Sequence, residues 1–250
     1  MSEIILPKLS IAEPVSLLHR VKIVENGDPL VNFLEHCPGL ILDVPRFHYR
    51  RETVLRLLVA EMLCCADKSL PKGYRLAIVE GWRAPHIQKR MYLAVWGRFK
   101  ESHPEWSDVT LRRVVNRFTA PIGTKVPPPH STGGAVDVML VREDGTLCDH
   151  CSPYDRYDPA CYSFNAPGLS ETARRTRALL AEALLPTGLT NYPSEYWHWS
   201  YGDQGWAYRG RHPHALYNAI TPDNWEPEPN DINELPLLWI DDSLNPTSPK

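Results

Sequence analysis

The residues best suited to do chemistry fall in two short stretches. His130-Ser-Thr-Gly-Gly-Ala-Val-Asp137 offers an imidazole and a carboxylate, and Glu195-Tyr-Trp-His198 offers a carboxylate and a second imidazole. Brought together, the two imidazoles and Asp137 would hold a zinc ion and leave its fourth position open, with Glu195 at hand to deprotonate water there. That is the donor set of a metallohydrolase, whereas a purely structural zinc favours a closed fourth ligand.

The spacing sets conditions on this pairing. Between His130 and Asp137 stands Gly133-Gly134, which lets a loop turn sharply into a strand so that both side chains converge. Glu195 and His198 are three residues apart, so on a regular strand they face opposite sides. They reach one ion only if the segment bends or bulges, or if Glu195 sits in the loop before the strand. Of the neighbouring Trp197 and Trp199, at least one reads as core packing. A third element is Glu80-Gly-Trp-Arg83, where an arginine at a strand end can donate two hydrogen bonds to a carbonyl oxygen that becomes negative during attack. An ion pair of Arg83 with Glu80 or another acid is the structural alternative.

Periodicity supplies the elements that must position these groups. Apolar residues at 54, 55, 58, 59, 62 and 63 predict a core-facing helix from about Glu52 to Ala66. Leu76-Ala-Ile-Val79 reads as a buried strand that delivers Glu80 and Arg83 at its tip. Pro85 suits the first turn of a helix whose stripe is Ile87, Met91, Val95 and Phe99, and Ser107 caps a shorter one reaching Phe118. Pro127, Pro128 and Pro129 stiffen the approach to His130. A strand over 135–141 then carries Asp137 into an Asp144-Gly145 hairpin. Ser170 caps a helix ending near Leu185, with Arg174, Arg175 and Arg177 on a solvated face. Residues 195–201 read as an aromatic strand. The opening forty residues suggest one or two strands packed as a flap. After about His214 the composition turns to proline and acids, so the division expected is a single domain over 1–213 and a wrapping arm or partly disordered tail over 214–250.

Composition excludes several classes of function. Thirty acids against 27 bases give a net charge of -3, and no basic block is interleaved with aromatics, so nucleic acid is not expected as a partner. The first 25 residues lack the apolar core of a secretory signal and no run approaches a membrane span, so a soluble, cytoplasmic protein with no membrane partner is expected. The six cysteines, at 37, 64, 65, 148, 151 and 161, are then expected as reduced thiols. Cys148-Asp-His-Cys151 with Cys161 has the spacing of half a zinc knuckle but no second pair.

His130-x-x-Gly133-x-Ala135-x-Asp137, the Glu195-x-x-His198 pair with its tryptophan, and Gly81-Trp-Arg83 together resemble the zinc D-alanyl-D-alanine dipeptidases of the vancomycin-resistance type, within the D-Ala-D-Ala peptidase and hedgehog-like zinc group. The resemblance spans roughly residues 40 to 210. It implies an α+β fold with a central, mainly antiparallel sheet flanked by helices. It further implies zinc on His130, Asp137 and His198, Glu195 as general base, Arg83 on the oxyanion, and a small dipeptide, D-Ala-D-Ala or one similar, as substrate. Ser152-Pro-Tyr-Asp155 is similar to the family segment whose aspartate receives the dipeptide's amino group, and Ser131, beside the first ligand, is a further expected substrate contact. Two positions depart from the pattern: Pro128 stands where members carry serine, removing a hydroxyl that could help hold the substrate's amino end, and Glu80 replaces an aspartate. A D,D- or L,D-carboxypeptidase or endopeptidase on peptidoglycan peptides is the enzymatic rival, and a noncatalytic zinc-stabilised binding domain is the rival of another class. The sequence leaves the oligomeric state open.

Overall fold

The computed structural model describes residues 15–156 and 158–240. In chain order its elements are α1 (Val15–Leu18), β1 (Leu30–Asn32), α2 (Phe33–His36), β2 (Ile41–Leu42), β3 (Val54–Arg56), α3 (Leu57–Ser69), β4 (Tyr74–Glu80), α4 (Pro85–Ser102), α5 (Asp108–Val115), β5 (Ala135–Arg142), α6 (Glu171–Leu184), β6 (Thr190–Asn191), β7 (His198–Ser200) and α7 (Gln204–Gly210). The two longest strands, β4 and β5, are aliphatic along nearly their whole length and pair antiparallel at the centre of a five-stranded sheet ordered β2-β4-β5-β7-β6. Only β2 runs parallel to its neighbour, so the sheet is mainly antiparallel, as expected. Beyond β5 the chain turns at Gly145, where φ is +84°, and Arg142 donates its N–H to Thr146 O, the hairpin that Asp144-Gly145 predicts.

Helices cover the sheet because their apolar faces have nowhere else to go. One cluster joins Val59, Leu63 and Ala66 of α3 and Leu180, Ala181 and Leu184 of α6 to Leu76, Ile78, Val138 and Leu140 of the sheet. A second joins Ile87, Met91 and Val95 of α4 to Phe47, Trp82, Val115 and Leu237. Ser107 and Ser170 cap α5 and α6 through their hydroxyls, as predicted. Residues 214–240 run back over the domain. Trp225 meets Trp82 edge-on at 5.0 Å, Trp239 lies 4.3 Å from Phe47, and Arg90 holds Asp231 at 2.9 Å. No described helix is long and apolar enough to cross a membrane.

Four expectations need correction. The helix expected from Glu52 begins at Leu57, because 54–56 form β3, paired in antiparallel register with β1 from Leu30↔Arg56 to Asn32↔Val54; tertiary pairing overrides a helical apolar spacing there. The strand expected over 195–201 contracts to β7, because 193–196 turn, with Glu195 N–H donating to Tyr192 O. Arg177 is not on a solvated face but is 1% exposed, donating to the carbonyls of His150, Cys161, Ser163 and Phe164. Finally, Cys37, just after α2, and Cys64 of α3 are joined in a disulfide with Cα atoms 5.6 Å apart, so these two are not reduced thiols. Packing of α2 on α3 brings them within bonding reach, and such a bond is maintained where the surroundings are oxidising.

Candidate metal centre

Sheet register assembles most of the site. A bulge between Ile78 and Glu80 brings Glu80 opposite Asp137 on β5, and Asp137 is in turn opposite His198 on β7. Three adjacent strands thus present a carboxylate, a carboxylate and an imidazole in one row, and residues directly opposite one another share a face of the sheet. His130 arrives from outside the sheet, in a short 3-10 turn (Pro129–Thr132) that the preceding prolines lead into. That turn can sit against the sheet only because glycines follow it. At Gly133, φ is +70° and a Cβ would lie 2.6 Å from Leu30; at Gly134 a Cβ would lie 2.4 Å from the carbonyl oxygen of Tyr201.

The ligand atoms of His130, Asp137 and His198 all lie within 4.8 Å of one another. Asp137 Oδ1 is 3.0 Å from His198 Nδ1 and 3.4 Å from His130 Nε2, and all three residues are buried. His130 Nδ1 is 2.9 Å from the carbonyl of Gly81, a contact that orients the ring and leaves Nε2 facing the cluster. Two imidazoles and one carboxylate with converging donor atoms fit a zinc ion with a position left for solvent.

Burial and charge set the protonation of these groups in the metal-free protein. Burial pushes His130 down to about 4 against the pull of Asp137, so this ring is neutral at neutral pH. Burial would also lower His198, but its hydrogen bond to Asp137 and the charge of Asp137 outweigh that and raise it. Burial opposes the charge on Asp137, yet His130 and His198 hold it well below the usual carboxylate range. Glu195 sits in the turn just before β7, and burial pushes its carboxyl up to about 7 despite the neighbouring His198. Glu80 is likewise raised to about 7 by burial, against the attraction of Arg83.

Arg83 is fixed from two sides. Its Nε and Nη2 donate to Glu80 Oε2 at 3.2 and 3.1 Å, and Nη1 donates to Gln88 Oε1 at 2.7 Å. The ion pair with Glu80 therefore exists, and one N–H on each Nη remains for another acceptor. Arg83, Glu80, His130, Asp137, Glu195 and His198 all line one cleft of about 170 Å³. Arg46 and Trp197 line it as well, the guanidinium 4.7 Å above the indole.

Two expected substrate contacts lie elsewhere. Ser131 is buried, with its hydroxyl donating to Pro128 O at 2.7 Å, and it does not line the cleft. Asp155 is exposed and also off the cleft wall, which its neighbour Arg156 forms while paired with Asp43 at 2.8 Å. Gln88 is a residue the sequence reading missed. Its signal was a polar side chain beside Ile87 in the first turn of α4, five positions after Arg83.

The fold and site define a class: an α+β domain with a His-Asp-His triad placed to hold a metal and a glutamate lining the same cleft. The chain belongs to the D-Ala-D-Ala dipeptidase family (peptidase M15), whose sequence model matches residues 50–217. A D-alanyl-D-alanine dipeptidase from Synechocystis sp. is 32% identical over 123 residues, which cover 44% of this chain and 50% of that protein. The chain thus spans about half the length of this curated relative. Among solved structures, VanYB in complex with D-Alanine-D-Alanine has a TM-score of 0.40 at 16% identity, covering 70% of this chain and 86% of that one. The LdcB LD-carboxypeptidase has a TM-score of 0.36 at 19% identity, covering 76% of each.

Proposed function

We propose that this chain is a zinc-dependent dipeptidase acting on D-Ala-D-Ala or a closely similar dipeptide. The observation that carries the reading is the convergence of His130, Asp137 and His198 within 4.8 Å on the cleft that Glu195 and Arg83 also line. Zinc bound by those three would supply Lewis acidity, lowering the pKa of bound water toward ~7. Glu195 accepts the proton of the attacking water and returns it to the leaving amine. Burial raises its carboxyl in the metal-free protein, which favours its taking up a proton during turnover. The free N–H groups of Arg83, aimed by Glu80 and Gln88, stabilise the oxyanion. Glu80 Oε1 is buried on the cleft with no hydrogen-bond partner, which supports it, in place of Asp155, as acceptor for the dipeptide's ammonium group.

One observation favours a second reading. The Cys37–Cys64 disulfide belongs to an oxidising environment, and intact peptidoglycan peptides lie outside the cytoplasm, so a D,D- or L,D-carboxypeptidase stands as the rival. Incubating zinc-loaded protein with D-Ala-D-Ala, L-Ala-L-Ala and an acylated D-Ala-D-Ala peptide separates them. Alanine released from free D-Ala-D-Ala supports the dipeptidase, and release from the acylated peptide alone replaces it with the carboxypeptidase. No release from any of the three, with zinc bound, leaves the L,D-carboxypeptidase or the noncatalytic domain.

A further inference from the structure

Three cysteines outside the metal centre are not used by the proposed chemistry. Cys148, Cys151 and Cys161 do not form a metal-ligating cluster among the described residues. Nor is His150 available to complete one, since its Nδ1 meets Cys148 O at 2.7 Å and its Nε2 accepts the N–H of Leu140 at 3.1 Å. Cys151 and Cys161 instead face each other, with sulfurs 3.2 Å apart and both side chains buried. Their backbones are pinned on a common post, because Arg177 donates to His150 O at 2.8 Å on one side and to Cys161 O at 2.7 Å on the other.

We infer that Cys151 and Cys161 are a second disulfide site, closed by a peroxide or a small-molecule disulfide. Bond formation needs the sulfurs to approach by only ~1 Å, to the ~2.05 Å of a disulfide. Cys151 is the attacking sulfur. The Cys161 thiol that donates to it at 3.2 Å, the hydroxyl of Tyr196, 3.3 Å away, and the guanidinium of Arg177 all favour its thiolate. With hydrogen peroxide, the Cys151 thiolate takes one oxygen, becoming a sulfenic acid and releasing hydroxide. Cys161 then attacks that sulfur and expels water. Two thiols and one peroxide thus give one disulfide and two waters, the two electrons passing from sulfur to the peroxide O–O bond. The closed loop includes Arg156, which lines the cleft, and Cys151 touches Tyr196, the residue after Glu195. Oxidation would therefore stiffen one wall of the active-site cleft.

The test treats the purified full chain with hydrogen peroxide, denatures it in acid, alkylates the free thiols and maps peptides by mass spectrometry. The expected product is a linked Cys151–Cys161 peptide lighter by about 2 Da, with Cys65 and Cys148 still alkylated. In Cys161→Ser the link is absent and Cys151 is trapped by dimedone as sulfenic acid. A rise in Tm on peroxide treatment, with Cys37–Cys64 closed throughout, is expected in the wild type and not in the variant. Free Cys151 and Cys161 after oxidation, or Cys151 linked to Cys148 or Cys65, overturns the inference. The wild-type map decides this even if the variant fails to fold.

Discussion

Replacing Arg177 with methionine keeps an unbranched apolar stem, shorter than arginine's, and removes its five N–H donors. Four carbonyls, of His150, Cys161, Ser163 and Phe164, then lose a donor at 2.6 to 3.0 Å. Ser163 O keeps the N–H of Ala166 at 2.9 Å, so the other three are the ones left unpaired. An acceptor left unpaired in the interior costs ~1–3 kcal/mol, so three of them cost about 3 kcal/mol at the lower bound. The methionine returns about 1 kcal/mol through apolar burial. A net loss of about 2 kcal/mol or more is thus expected, a sizeable part of the ~5–15 kcal/mol that holds a domain folded. In urea the midpoint would fall by about 0.7 M, given a slope of ~3 kcal/mol/M for a chain of this size. Arg175→Met is the control, because Arg175 is an exposed residue of the same helix and its loss should cost no more than ~0.5 kcal/mol. The arginine also lies 3.9 Å over the ring of Tyr196, so folded Arg177→Met should hold Glu195 less firmly and show lower kcat. Equal midpoints for the two variants would refute the reasoning, since the carbonyls of His150, Cys161 and Phe164 would then have other partners.

Glu195→Gln should retain zinc in metal analysis while alanine release falls ~10²–10⁴-fold, whereas His198→Ala should lose the metal; equal metal loss in both would contradict the separate roles. Gly134→Ala forces a methyl to 2.4 Å from Tyr201 O, and because that oxygen is backbone it cannot step aside, so Tm and zinc affinity should both drop. In the metal-free protein, stability should fall as pH rises from about 5 to 8. Glu80 and Glu195, raised to about 7, bind protons more tightly when folded and lose that advantage on ionising, and raised His198 loses its advantage above its own folded pKa. His130 and His150, lowered by burial to about 4 and about 3, act in the opposite direction, and Asp137 contributes only at lower pH. Urea midpoints of chelated protein across that range check the sign, and a rise would show that His130 and His150 dominate.

Local signals revealed much of this molecule. Serine caps, Pro85 at a helix start, the Asp-Gly turn and the continuous aliphatic run at 76–79 each act through neighbours in sequence, and the corresponding elements formed. The candidate metal ligands were legible for a different reason: few residue types bind zinc, and the glycine pair marked where the backbone had to pass close to another segment. What stayed hidden depends on distant pairing. Nothing local reports that 54–56 will pair with β1, so a helical spacing was extended over a strand. Arg177 looked like its solvated neighbours because the four carbonyls that hold it are contributed by residues 150–164. Asp155 was assigned to the substrate by similarity of a short segment. Whether its side chain or that of Arg156 faces the cleft depends on loop conformation, which sequence spacing does not encode.

The same register that builds the sheet builds the site, and this ties stability to chemistry at particular positions. Glu80, Asp137 and His198 meet only because β4 carries a bulge one residue before Glu80 and β5 pairs with β7 without a slip. Shifting either strand by one residue would turn its side chains to the opposite face, removing a ligand and exposing an apolar residue at once. The register is held by residues with no role in the reaction, including Val136 and Val138 beside Asp137, both fully buried in the main core. The glutamate at position 80 fits the same logic. It bridges to Arg83 with one oxygen and leaves the other buried without a hydrogen-bond partner, so in the proposed function a single side chain would both fix the oxyanion donor and offer an acceptor to substrate. An ion pair between Glu80 and Arg83 thus fixes the arginine in place, and on the proposed function the structural and catalytic readings of that pair describe the same contact.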